Sequence, residues 1–174
     1  MNRERRHELK VLVADSSPHM LEILRSLLRR TGIQCVHEAC DSRGAVKALS
    51  ANKFDLLVIS EQLPPLDSIT LVHQARMNPS CANRHIPVIM ISSRTERSFV
   101  ERARDAGITD FVCKPLSAKV LNERITMALE APRPFVDDQT YAGPDRRHRP
   151  SGSHHGPDRR GRRARDESVD ERSA

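Results

Sequence analysis

The sequence predicts an α/β fold built on a doubly wound, parallel sheet of five strands. Three observations support this fold class. Short apolar runs alternate with segments of helical periodicity between residues 9 and 130. Three of these runs, at residues 11–14, 56–59 and 88–91, are apolar throughout, as expected of strands that are buried on both faces. Because a helix follows each strand, the strands are expected to run parallel, with helices on both sides of the sheet.

The individual elements follow from local signals and form a (βα)5 pattern. Apolar residues recur at helical spacing between 20 and 28, and Gly32 ends that helix. Pro87 precedes the third clear strand, Gly107 stops the polar helix that comes after it, and Ser117 opens the last helix. In chain order, the predicted elements are strand 11–14, helix 20–28, strand 35–39, helix 42–49, strand 56–59, helix 68–77, strand 88–91, helix 95–105, strand 110–113 and helix 117–130.

The chain divides into three parts. Residues 9–130 form the predicted domain, after a charged extension at residues 1–8 and before a tail at residues 131–174. The tail has five prolines, four glycines and few aliphatic side chains. Such a composition buries too little apolar area to offset the entropy lost on ordering, so the tail is predicted to be disordered. Its short apolar segment at residues 134–136 is the part best able to pack back on the domain.

The tail also contains a repeat. Five residues recur without change thirteen positions further along the chain. A duplicated linear motif is the favoured interpretation, and a low-complexity accident is the alternative. The first copy is Gly143, Pro144, Asp145, Arg146 and Arg147, and the second is Gly156, Pro157, Asp158, Arg159 and Arg160.

Charge and composition limit the partners and the compartment. The net charge is +6, and residues 145–165 hold eight arginines against two aspartates. This cluster could attract nucleic acid, anionic lipid or an acidic protein face, and a solvated spacer is the alternative. No apolar run is long enough for a membrane span or a signal peptide, which predicts a cytoplasmic protein. The four cysteines lack a C-x-x-C pair and are expected to be reduced and mostly buried.

Polar residues stand directly after four of the predicted strands. Asp15 and Ser16 follow the first strand, Ser60 the third, Ser92 the fourth and Lys114 the fifth. The carboxyl ends of parallel strands meet at one edge of a sheet, and functional residues gather there. These five residues are therefore predicted to converge on one crevice.

The sequence around these positions resembles a response-regulator receiver domain. The run at 11–20 is similar to the opening of that family, in which an acid pair ends the first strand. Residues 55–67 are similar to the family's phosphate-acceptor strand and the loop that follows it. Ser92 stands where the family has threonine or serine, and residues 114–115 match its Lys-Pro dipeptide, whose peptide bond is usually cis. The resemblance spans residues 9–130, is closest in kind to chemotaxis regulators, and implies a flavodoxin-like fold and a role in two-component (phosphorelay) signal transduction.

The sequence departs from this family at the acceptor. The resemblance implies an aspartate that takes a phosphoryl group, and a Mg²⁺ ion held by that aspartate, a second acid and a backbone carbonyl. The matching positions are Ser60, Ser16 and Gln62. Both carboxylates are missing, so the pocket is predicted to be a degenerate phosphoacceptor site that needs neither Mg²⁺ nor another cofactor. Asp15 and Lys114 are predicted to form an ion pair, with the serine hydroxyls supplying hydrogen bonds.

Three sharper alternatives concern the same pocket. Glu61 could accept the phosphoryl group, but strand alternation points it away from Ser60. Ser60 and Lys114 could form a nucleophilic pair, but neither an oxyanion hole nor a substrate cleft can be argued. A serine kinase could modify Ser60, which is predicted to be recessed. A pocket retained for structure is the favoured interpretation, so no enzymatic activity is predicted.

The predicted function is a phosphorylation-independent pseudo-receiver that acts as an adaptor between proteins. The resemblance implies that partners bind at residues 95–130, where Phe111 takes the position of an aromatic residue that couples pocket and face in many receivers. The tail would supply a second contact. Two alternatives stay open: a nucleic-acid-associated regulator that binds phosphates through the tail arginines, and a conventional phosphoreceiver with an unusual acceptor. The sequence predicts neither the oligomeric state nor the identity of the partner.

Overall fold

The computed structural model of the chain describes residues 6–138 and 140–146, and its centre is a five-stranded parallel sheet. The strand order is β2-β1-β3-β4-β5, so β1 lies between β2 and β3. Val11 of β1 is opposite Val36 on one side and Leu56 on the other. This topology confirms the predicted fold class. The strands are β1 (Lys10–Ala14), β2 (Cys35–Ala39), β3 (Leu56–Ser60), β4 (Val88–Ser92) and β5 (Asp110–Cys113).

Five helices connect and follow these strands, and side-chain caps fix where most of them begin. Four of the helices start at a residue whose side chain accepts a hydrogen bond from a backbone N–H three residues further on; these are Ser17, Asp41, Asp67 and Ser117. A cap of this kind contributes about 1 kcal/mol to stability. The helices are α1 (Pro18–Arg30), α2 (Ser42–Ala51), α3 (Ser68–Met77), α4 (Arg97–Asp105) and α5 (Ala118–Glu130).

The sheet separates two apolar layers. In β1, Leu12 points into the layer covered by α2, α3 and α4, whereas Val11 and Val13 point into the layer covered by α1 and α5. Both layers are closed to solvent, since β3 and β4 are buried along their whole length. This burial on both faces explains why the central strands are apolar throughout, and it fixes the strand ends where polar residues follow.

The tail departs from the predicted disorder where it begins. β6 (Phe135–Asp137) and β7 (Ala142–Pro144) pair antiparallel as a hairpin that packs against α3. Tyr141 is buried, and its hydroxyl donates to the carbonyl of Pro144 at 2.6 Å. The composition of the whole tail conceals these few anchoring residues, which is why the disorder prediction was wrong for this part.

The hairpin covers a buried arginine at the side of the sheet where the strands begin, which we call the amino edge; the side where they end is the carboxyl edge. Arg76, at the end of α3, donates from Nε and Nη2 to the carbonyl of Gly107, and from Nη2 to that of Ile86 at 2.7 Å. Its Nη1 donates to the carbonyl of Arg84, and its guanidinium lies 5.7 Å from the ring centroid of Phe135. Burial lowers the pKa of Arg76 to about 10, so it remains charged at neutral pH.

The four cysteines are less buried than the sequence indicates. All four thiols are free, but Cys40 and Cys113 are exposed and Cys35 and Cys81 are only half-buried. The expectation that they are mostly buried was therefore wrong, because apolar neighbours in sequence do not fix the face on which a side chain lies. Among the described helices, none is long and apolar enough to cross a membrane.

Candidate signalling pocket at the carboxyl edge of the sheet

The structure places the predicted pocket residues at one edge of the sheet. Asp15, Ser60 and Ser92 are buried, with exposed fractions of 3%, 4% and 0%. Lys114 follows β5 and is half-buried. The register explains this convergence, since Ser60 is opposite Ile91, one residue before Ser92.

Asp15 is the one buried acid of the pocket, and it is incompletely bonded. Its Oδ1 accepts the backbone N–H of Ser17 at 2.8 Å, which fixes the turn into α1. Its Oδ2 is buried and has no hydrogen-bond partner within the described residues. A buried polar atom without a partner costs about 1–3 kcal/mol, so this oxygen does not stabilise the fold.

The predicted ion pair between Asp15 and Lys114 was wrong. In residues 6–138 and 140–146, neither side chain takes part in an ion pair. The backbone N–H of Lys114 donates to the carbonyl of Ser92 at 2.9 Å, while its half-exposed side chain can stay hydrated. Leaving water for a buried partner would cost the ammonium group its hydration, and this cost opposes the pair.

The other predicted pocket residues supply hydroxyl and carbonyl groups. The carbonyl of Ser60 accepts the hydroxyl of Ser68 at 2.5 Å, which ties the end of β3 to the start of α3. Ser16 is exposed, and its hydroxyl donates to the carbonyl of Gln62 at 3.4 Å. The peptide bond between Lys114 and Pro115 is cis, as the resemblance implied.

Glu61 is a pocket residue that sequence reasoning placed wrongly. Its carboxylate Oε2 accepts the hydroxyl of Ser92, which in turn accepts the backbone N–H of Arg94 at 2.8 Å. Strand alternation predicted that Glu61 points away, but β3 ends at Ser60, so alternation no longer governs the next residue. The useful signal was its place directly after a buried strand.

Phe111 lies on β5 and connects to α4. Its ring is half-buried and packs edge-to-face on Phe99, with 6.0 Å between the centroids. The guanidinium of Arg94 lies 4.3 Å from the centroid of Phe99. Side chains in contact therefore lead from the pocket to the edge strand.

Comparison with known proteins identifies the family. The sequence profile of the response regulator receiver domain matches residues 11–126. The chain belongs to this family. It is 32% identical over 122 residues to the chemotaxis protein CheY of Pseudomonas aeruginosa, a match that covers 70% of this chain and 97% of that protein. It is 30% identical over 122 residues to the chemotaxis protein CheY-3 of Vibrio cholerae, covering 70% of this chain and 92% of that one.

Solved structures agree with this assignment. The receiver domain of the Francisella response regulator 1452 matches with a TM-score of 0.64 at 27% identity, covering 71% of this chain and 98% of that one. A response regulator from Chloroflexus aurantiacus matches with a TM-score of 0.65 at 25% identity, covering 70% and 98%. The chain thus contains a receiver domain of the two-component response regulator type. Receiver domains are signalling domains that act by contacting partner proteins.

The donors of this receiver pocket can be tested against the Mg²⁺ ion that the resemblance implies. Two of the three ligand positions, Ser16 and Ser60, offer neutral hydroxyls, and the third is the carbonyl of Gln62, which already accepts from Ser16. Mg²⁺ is usually bound by one or two carboxylates together with phosphate oxygens and water, in near-ideal octahedral geometry. The pocket does hold two carboxylates, that of Asp15, whose Oδ2 is unpaired, and that of Glu61, which bonds Ser92. Neither lies at a position that the resemblance implies as a carboxylate ligand, so the implied ligand positions do not fit the ion.

Residues 143–146 of the first copy of the tail repeat are folded onto the receiver domain. An added Cβ at Gly143 would lie 2.8 Å from Cα of Gly107, so only glycine allows this approach. Arg146 forms an ion pair with Asp105 at 2.9 Å and lies 3.9 Å from the ring centroid of Tyr141. Arg147 and the second copy, at residues 156–160, lie outside the described residues.

Proposed function

We propose that this receiver works without phosphorylation, as an adaptor that binds signalling proteins. The observation that carries the proposal is Ser60, a hydroxyl at the end of β3 where the resemblance calls for an aspartate. A carboxylate can form the high-energy acyl phosphate that receivers use, whereas a serine can form only a phosphate ester. Within the described residues, the Ser60 hydroxyl forms no hydrogen bond to a side chain that could act as its base.

The electrostatics of the pocket support the same proposal. Asp15 is the one buried carboxylate among the donors. Lys114 offers one positive charge at the end of β5, the strand that pairs with β4. With Glu61, whose carboxylate bonds Ser92, the two acids and the one lysine sum to a formal charge of −1. This charge repels the negative charge that phosphorylation adds, and the ligand positions at Ser16 and Ser60 offer no charge to a divalent cation. We therefore infer that neither Mg²⁺ nor a phosphoryl group is needed for the protein to act.

The surface that would bind partners is formed by residues 95–130. Its two helices, α4 and α5, flank the edge strand β5 and expose apolar side chains: Val100 at 36%, Val120 at 39% and Met127 at 54%. Scattered exposed apolar residues are common, but three on neighbouring elements favour a protein contact over a purely solvated face. The folded tail supports an adaptor more than a nucleic-acid binder, because Arg146 is already engaged by Asp105 and Tyr141.

Phosphodonor chemistry tests this proposal directly. The full chain is incubated with Mg²⁺ and beryllofluoride, and in parallel with acetyl phosphate, while amide spectra and intact mass are recorded. We expect no adduct and no saturable shift around Asp15 and Ser60. The matched control is the double variant S16D/S60D, which restores both carboxylates and is expected to respond to beryllofluoride with Mg²⁺. A stoichiometric adduct on the natural sequence would overturn the proposal.

A further inference from the structure

The hydroxyl of Ser92 is held by an acid on one side and a backbone amide on the other. Ser92 has no exposed surface, and its Oγ donates to Oε2 of Glu61 while accepting the N–H of Arg94. The carbonyl of Arg94 is the other acceptor in reach, at a long 3.5 Å. Glu61 is therefore the group that satisfies this buried hydroxyl. The same bond fixes the direction of the backbone directly after β4.

The contacts continue from Arg94 through α4 to β5, the outermost strand of the sheet. Nε of Arg94 lies 3.4 Å from a carboxylate oxygen of Glu96, and its guanidinium lies over the ring of Phe99. Phe99 is 6% exposed and meets Phe111 edge-to-face at 81°. Cation–π and aromatic pairs of this kind favour one arrangement of these side chains over another.

We propose that Glu61 is a positioning residue that supplies a permanent anion to this pocket. Through Ser92 and Arg94 it holds the segment between β4 and α4, and with it the packing of Phe99 on Phe111, in one arrangement. This inference rests on the proposed function, since a resident carboxylate replaces an anion that would otherwise come and go with phosphorylation. Its consequence is that the face at residues 95–130 is set permanently for one kind of partner. We name the residues Glu61, Ser92, Arg94, Phe99 and Phe111 the Glu61 network.

The structure explains why a carboxylate suits this position. A hydroxyl that donates to an ionised oxygen makes a hydrogen bond about twice as strong as one between neutral groups. Truncation of Glu61 would leave the Ser92 hydroxyl buried without a good acceptor, which favours a rearrangement toward the distant carbonyl of Arg94. A glutamine would keep an acceptor oxygen of the same reach, so it should preserve the arrangement at reduced strength.

Amide spectra of full-length variants test this inference. In E61A we expect shifts at Arg94, Phe99 and Phe111 that resemble those of S92A, because both remove the same hydrogen bond. E61Q should stay close to the natural spectrum. The matched control is E101A, which removes a carboxylate that bonds Arg97 on α4 at 2.7 Å without touching Ser92. Shifts in E61A that stop at its immediate neighbours, as in E101A, would overturn the inference.

A double-mutant cycle adds a readout that does not depend on spectra. A hydrogen bond to a charged group contributes about 1.5 kcal/mol, so E61A and S92A should each raise the ratio of unfolded to folded protein about tenfold. The double variant should raise it little further, because both changes remove one interaction. Full additivity would contradict the proposal. Beryllofluoride added to the natural chain distinguishes failure of the proposed function from failure of this inference. A saturable shift on its addition would contradict the proposed function, whereas the spectra of the variants alone decide the role of Glu61.

Discussion

The two edges of the central sheet each bury a charged side chain, and they treat it differently. At the amino edge, Arg76 is 2% exposed and donates to three backbone carbonyls under the hairpin. At the carboxyl edge, Asp15 is 3% exposed, yet one of its oxygens has no partner in the described part of the chain. Buried polar groups are nearly always bonded when the fold depends on them. The amino edge is therefore built for stability, and the carboxyl edge carries at Asp15 a polar atom that the fold does not require.

This difference separates structural from signalling residues within one receiver. A single helix, α3, joins the two edges: its N-cap Asp67 lies in the loop after β3, and Arg76 lies in its last turn. The hairpin stabilises the amino edge from outside through the ion pair between Arg84 and Asp137 and through Phe135. Within residues 6–138 and 140–146, no equivalent cover closes the carboxyl edge, where Ser16 and Gln62 are exposed. The open edge is where partners or ligands could still act.

The largest expected effect is the loss of the buried arginine. In R76M, the carbonyls of Gly107, Ile86 and Arg84 lose their donor while the apolar volume is kept. We expect the free energy of unfolding to fall by about 3–5 kcal/mol, because three buried carbonyls lose their donor at a cost of about 1–3 kcal/mol each. Urea denaturation of the full chain measures this change. The control R97M removes an arginine whose side chain is 93% exposed and should change stability by less than about 0.5 kcal/mol. A loss below about 1 kcal/mol for R76M would show that the amino edge is not the structural one.

A smaller effect is expected at the glycine that seats the hairpin. In G143A, the new Cβ would lie 2.5 Å from Oη of Tyr141 and 2.8 Å from Cα of Gly107, so the hairpin must shift. We expect a loss of about 1–3 kcal/mol, with reduced hydrogen-exchange protection at residues 135–144. In the control G44A, the nearest atom to the new Cβ is Oδ1 of Asp41, at 3.2 Å, and Ala39 lies in ordinary contact from 3.6 Å, so stability should change by less than about 1 kcal/mol. Protection at 135–144 that equals that of the natural chain would argue that the hairpin is not anchored there.

Much of the structure at the two edges could be predicted from the sequence. The parts that could not be predicted were missed for physical reasons. Apolar runs and caps locate the five strands and helices, because burial on both faces leaves a strong pattern. The hairpin was missed because three-residue strands such as β6 are held by contacts distant in sequence, above all that of Phe135 with the side chains of Arg76 and Arg84. The spacing of apolar residues along the sequence cannot reveal such contacts.

The pocket shows the same limit. The members at the strand ends could be predicted because the carboxyl ends of parallel strands converge, whereas Glu61, one residue past the end of β3, was placed wrongly. Their bonding could not, since the choice of Glu61 by Ser92, and of Ser17 by Asp15, depends on the turns that follow the strands. Charge balance suggested a pair between Asp15 and Lys114, but burial of one partner and hydration of the other outweigh a simple count of charges.

The smallest expected effect has the opposite sign and tests the carboxyl edge. In D15N, the amide oxygen can still accept the N–H of Ser17 and the negative charge is removed, while an unpaired amide nitrogen takes the place of the unpaired oxygen. We expect the free energy of unfolding to stay the same or to rise by up to about 1 kcal/mol, because a buried unpaired charge no longer has to be desolvated. D15A also loses the bond to Ser17 and should be less stable than D15N by about 1 kcal/mol. A fall of more than about 1 kcal/mol in D15N itself would mean that Oδ2 has a partner in solution, and the two edges would then differ less than their hydrogen bonds indicate.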